Sequence, residues 1–112
     1  MSSEGLRDGQ GIVWHRAIGS DALDDGEVTV CPVGLKSVAL TNLRGEFGAI
    51  DNRCPHQGGP LGQGTVENGK IRCPWHGWEF DIVTGKGLYD AKSRVATYVV
   101  EVDEKGDVVV LV

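Results

Sequence analysis

Short runs in which apolar and polar residues alternate, separated by glycine-containing turns, extend over most of this chain. A period of two marks half-buried strands, because successive side chains on an extended backbone point to opposite faces. Residues 12–18 and 27–33 form the first two predicted strands. Between them, residues 19–26 have room for one helical turn with Ser20 or Asp21 as its N-cap. Val38 and Leu40 alternate with Ser37, Ala39 and Thr41 in a third strand, and a turn at 42–45 leads to a fourth over 47–51. Strands at 65–67 and 70–73 flank Asn68-Gly69, a strong hairpin signal because both turn positions take positive φ. Trp78, Phe80 and Ile82 alternate with Glu79 and Asp81, and residues 95–102 and 108–112 flank Lys105-Gly106-Asp107 as a terminal hairpin. Eight or nine strands and no long helix predict an all-β fold, a small antiparallel barrel or sandwich.

Composition narrows this picture. A chain of 112 residues has room for one domain, placed over 11–112, with residues 1–10 as a flexible N-terminus. Glycine accounts for 17 residues, well above the usual ~7%, which suits many turns. The net charge of −5 argues against a nucleic-acid binder, which needs a basic face. A core this small gains from a metal or another staple. No apolar leader opens the chain, and no run approaches the ~18 apolar residues of a membrane span, so a cytoplasmic location is expected. There thiols stay reduced, and clustered Cys and His point to metal before disulfide.

Two segments concentrate that chemistry. Cys54-Pro55-His56 and Cys73-Pro74-Trp75-His76 each offer one thiol and one imidazole, and each follows a predicted strand. The Asn68-Gly69 hairpin between them would fold the second segment back beside the first. Tetrahedral zinc suits a Cys2His2 set. Zinc fingers, however, group two Cys in a knuckle and two His in a helix, whereas here each loop mixes one of each. Mixed loops suit a two-iron, two-sulfide cluster with the cysteines on one iron and the histidines on the other.

The run Cys54-Pro55-His56-Gln57-Gly58-Gly59-Pro60-Leu61, followed by Cys73-Pro74-Trp75-His76-Gly77-Trp78, resembles the Rieske iron–sulfur family. The resemblance is tight over 54–85 and implies a Rieske-type domain with a cluster-binding subdomain of two loops, 54–64 and 73–78. It further implies that Cys54 and Cys73 hold the inner iron, and that His56 and His76 hold the outer one. Two neutral imidazoles in place of thiolates leave the cluster less negative, which raises Rieske potentials to about −150 to +300 mV against ~−400 mV for plant-type ferredoxins. High-potential members of the family carry a serine after the second His-Gly and a disulfide between the loops. Trp78, Gly59 and Trp75 stand at those positions, so a low-potential ferredoxin is expected. Many Rieske domains also place prolines in a third loop, and residues 86–94 contain none.

The other chemistry-bearing residues read as ordinary structure. Cys31 is expected to be a buried, inert thiol, His15 a strand or surface histidine, and Trp14 and Trp78 core aromatics. Trp75, between two ligands, is placed to shield the cluster or meet a partner. Gly58, Gly59 and Pro60 shape the first loop, Arg53 and Arg72 are strand-end charges, and Asp21, Asp24, Asp25 and Glu27 form a solvated face. Residues 64–70 nearly spell a phosphate-binding loop, but Ile71 replaces the required Ser/Thr and no helix follows.

A Rieske oxygenase also needs a mononuclear iron held by two His and a carboxylate, and only His15 remains for it. The resemblance therefore implies an electron-transfer component and no enzyme by itself. That component carries one electron at a time from a flavin-dependent reductase to a Rieske-type oxygenase. A redox subunit or regulatory module of a larger enzyme is the alternative.

Overall fold

The computed structural model describes residues 13–55, 58–75, 77–88 and 93–112. Nine strands are present among them: β1 (Trp14–Gly19), β2 (Val28–Val33), β3 (Lys36–Leu43), β4 (Glu46–Asp51), β5 (Thr65–Glu67), β6 (Lys70–Arg72), β7 (Glu79–Asp81), β8 (Thr97–Val102) and β9 (Asp107–Leu111). Two 3-10 turns, η1 (Ser20–Ala22) and η2 (Leu61–Gln63), complete the described elements. None of the helices is long and apolar enough to cross a membrane. The expected N-terminal segment 1–10 lies outside the described residues.

Six strands form one antiparallel sheet in the order β1-β9-β8-β4-β3-β2, and β5-β6-β7 form a second. Turn chemistry sets the registers. Arg44 and Gly45, at φ 57° and 86°, join β3 to β4, and Asn68 and Gly69, at 55° and 76°, join β5 to β6. Both pairs satisfy the two positive dihedrals of a type I′ hairpin, whose twist matches that of the strands.

The larger sheet is covered on both faces around β3 and β4. Val38, Leu40 and Ala49 pack on one side with Leu23, Cys31, Val33, Val108 and Val110. Ala39 and Ile50 pack on the other with Leu61, Ile71, Phe80, Ile82 and Val95. Hence β3 is buried continuously from Val38 to Asn42 and does not show the simple alternation its sequence suggests. The second layer covers Ala39, whose small side chain lets it approach. Phe80 is completely buried in this layer, worth about 1.5–3 kcal/mol relative to exposure.

Two further expectations are corrected. Trp14 is 44% exposed and not part of the core. It pairs with Leu111 while His15 pairs with Val110, a core residue, so alternation turns Trp14 outward. Neither Ser20 nor Asp21 caps the helical turn. Ser20 is already its first residue, Gly19 stands at the cap, and no side chain there bonds the turn.

Candidate metal centre

Cys54 and Cys73 occupy equivalent places in two loops of the same design. The first loop leaves β4 through Asn52 and Arg53, and the second leaves β6 directly. The Cys54 N–H donates to the Gly59 carbonyl at 2.8 Å, and the Gly58 N–H donates back to the Cys54 carbonyl at 2.7 Å. In the second loop the Cys73 N–H donates to the Trp78 carbonyl at 2.7 Å, and the Gly77 N–H to the Cys73 carbonyl at 3.0 Å. Gly58 and Gly77 both take positive φ, 77° and 74°, a conformation that a side chain would strain. Each loop thus folds back on its own cysteine. Cys54 is 1% exposed and Cys73 4%, and both belong to the core layer beside Ile71 and Phe80.

The loops are anchored and pressed together. Asn52 donates its N–H to Ser37, accepts from Leu61 at its carbonyl, and accepts from the Gly62 N–H at Oδ1, the last two at 2.7 Å. The indole of Trp75 and the sulfur of Cys73 share the open side of Gly59: a Cβ there would lie 2.8 Å from Sγ and 3.1 Å from the ring. Arg53 lies beside Gly58 and Arg72 beside Gly77, where a Cβ would meet a guanidinium nitrogen at 3.3 and 2.8 Å respectively. Both arginine side chains therefore lie against a glycine of their own loop.

A family model described as the Rieske [2Fe-2S] domain matches residues 13–109. This chain belongs to the Rieske family. Its relatives include the ferredoxin component of the naphthalene 1,2-dioxygenase/salicylate 5-hydroxylase systems of Ralstonia sp, 34% identical over 91 residues, which are 80% of this chain and 88% of that protein. Apoptosis-inducing factor 3 of Mus musculus is 43% identical over 63 residues, 56% of this chain but only 10% of that much longer protein. Among solved structures, the ferredoxin of carbazole 1,9a-dioxygenase from Nocardioides aromaticivorans IC177 superposes with a TM-score of 0.83 at 27% identity, covering 88% of this chain and 97% of that one. The cofactor of a Rieske domain is a [2Fe-2S] cluster, and the described residues fit one. Two buried thiols, soft donors suited to iron–sulfur chemistry, sit on matched loops, and the missing side chain of Gly59 makes room for the Cys73 sulfur.

His56, Gln57 and His76 lie outside the described residues, as do 89–92 of the proline-free loop. The base of that loop is closed by an antiparallel backbone β-bridge between Lys86 and Arg94 and by the Gly87 N–H donating to the Ser93 carbonyl at 2.9 Å. Cys31 is buried as expected, and burial pushes its thiol pKa up. Trp78 packs partly buried against the layer holding both loop cysteines. His15 sits under the turn after β2, its ring 3.1 Å from where a Cβ on Gly34 would be. Asp21, Asp24, Asp25 and Glu27 are exposed, and Asp25 and Glu27 accept backbone N–H groups from Arg44 and Asp24. Residues 64–70 form the β5–β6 hairpin and no phosphate cradle. Sequence reasoning missed Asn52 and Gly64 as loop anchors. An Asn placed two residues before a loop cysteine was the available signal for the first.

Proposed function

We propose that Cys54 and Cys73 bind one iron of the cluster, that His56 and His76 bind the other, and that the chain is a one-electron carrier between a flavin-dependent reductase and a Rieske-type oxygenase. When bound, the cluster accepts and releases a single electron. The chain's own residues keep the thiolates in a dry, rigid setting, so little structure has to move when the charge changes. The loop segments 54–64 and 73–78 contain no Asp, Glu, Lys or Arg, which suits close docking of a partner. Arg53 and Arg72 border that surface and supply charge that orients an approaching partner.

The observation carrying this reading is the likeness to a ferredoxin component over 88% of that component's length. No catalytic step is assigned to the chain. After the two loop histidines, His15 is the remaining histidine, and it packs in β1 against Gly34. Reconstitution tests the proposal: oxygenase turnover driven by NADH and reductase should depend on added chain and saturate with it. Turnover indifferent to the chain across Rieske-type oxygenases would refute it. The likeness to a segment of apoptosis-inducing factor 3 favours one alternative, a redox module of a larger enzyme. Stable co-purification with one large partner would distinguish that case.

A further inference from the structure

We infer that Trp75 is a positioning residue: its indole, seated on Gly59, clasps the two cysteine loops together and keeps water from the Cys73 sulfur. The inference rests on the cluster reading above. Three observations converge on it. Gly59 is buried in the first loop, and its open side is occupied by two atoms groups of the second loop, the Cys73 sulfur and the Trp75 ring. The space is already full, since a methyl group at Gly59 would stand 2.8 Å from Sγ and 3.1 and 3.2 Å from ring carbons Cδ2 and Cγ. Gly59 also accepts the Cys54 N–H through its carbonyl, so pressure on Gly59 reaches the other cysteine directly.

Trp75 is 54% exposed while Cys73 is only 4% exposed. An aromatic side chain that closes over a glycine while about half of it remains in solvent acts as a lid. A large side chain left half in water contributes less to folding than a core residue, so core packing alone does not account for its position. Removing the ring opens the Gly59 side of Cys73 to water. Water there donates hydrogen bonds toward sulfur and raises the local dielectric, and both favour the more negative, reduced state. The midpoint potential therefore rises, and the loops separate more readily.

The test uses holoprotein of wild type, Trp75→Phe and Trp75→Ala. Iron and sulfide content are measured first, then the midpoint potential and the rate of iron release to a chelator. Trp75→Ala should release iron about tenfold faster and show a more positive potential, with Trp75→Phe restoring most of both because its ring still covers Gly59. Equal release rates and potentials in Trp75→Ala and wild type overturn the clasp while leaving the cluster reading intact. A Trp75→Phe variant as impaired as Trp75→Ala also overturns it. Wild-type protein without iron and sulfide overturns the cluster reading, and the clasp with it.

Discussion

The α-carbon of Gly64 faces the carbonyl of Arg72 so closely that a side chain on Gly64 would overlap that oxygen. Arg72 is the residue before Cys73, so this backbone contact fixes where the second cysteine loop begins. It also ties β6 to the segment that follows η2.

Gly64→Ala should therefore cost about 2–3 kcal/mol, since the obstacle is backbone that cannot rotate away. Gly69→Ala provides the comparison. Its φ of 76° is unfavourable for alanine, yet nothing lies within 4 Å, so the cost is about 1–2 kcal/mol. Urea unfolding of both variants checks the order. A Gly64→Ala midpoint at or above that of Gly69→Ala contradicts the contact.

Asn52 is the anchor of the first loop through its Oδ1 and the Gly62 N–H. Asn52→Ala leaves that N–H without its acceptor and should cost about 1–3 kcal/mol. Asn52→Asp keeps an acceptor of the same shape and should retain most of the stability. Hydrogen exchange at the Gly62 amide reads the bond itself: unchanged protection in Asn52→Ala would remove Asn52 from this role.

Asp81 turns the chain after β7 by accepting the N–H groups of Val83 and Thr84 at 2.8 and 3.0 Å. The Thr84 N–H is the main cause holding its carboxyl below the usual range; partial burial opposes the shift, and the Val83 N–H and Lys70 assist it. Because the folded pKa lies below the unfolded one, this stabilisation is complete above the ordinary value of 3.8 and is lost as pH falls through the folded pKa. Solvent screening keeps its magnitude to about 1 kcal/mol or less. The stability gap between wild type and Asp81→Ala should be constant from pH 7 to about 5 and narrow below the ordinary carboxylate pKa. A gap that widens on acidification would reverse the assignment.

Cys31 is 3% exposed and its thiol pKa is raised by desolvation, against a smaller opposing pull from Arg16. Thiolate is the reactive form, so iodoacetamide should label Cys31 only as fast as the protein unfolds. Cys31→Ala should leave the redox potential unchanged. Fast native-state labelling at Cys31 would show that the thiol is reached without unfolding.

Much of the frame was legible in the sequence. Asn68-Gly69 predicted its hairpin because the turn dihedrals admit few residues, and alternation located β7 and the terminal hairpin. Burial on both faces of β3 was not legible. Ser37, Ala39 and Thr41 read as an outer face, and only the second sheet, distant in sequence, covers part of it. Trp14 misled for a related reason: aromatic size suggests burial, but strand parity gives the inward place to His15. The paired cysteines were readable from spacing. The matched hydrogen bonds of their loops, and the seats of Trp75 on Gly59 and of Arg72 beside Gly77, depend on contacts that spacing does not encode.

The potential follows from what borders the cluster loops. Neither a serine donor nor an inter-loop disulfide occupies the positions of Trp78, Gly59 and Trp75. Without that serine donor the reduced state is less favoured, so the midpoint should lie below about +100 mV, in the lower part of the Rieske range. Protein-film voltammetry measures it directly, and a value in the upper part of that range would contradict the expectation.

The decisive measurement is electron paramagnetic resonance of the dithionite-reduced protein with nitrogen hyperfine detection. Ligation by Cys54, Cys73, His56 and His76 predicts a Rieske-type signal with coupling from two imidazole nitrogens, lost on replacement of either histidine by alanine. A signal without nitrogen coupling, or a colourless protein that carries zinc and no sulfide, would contradict the account.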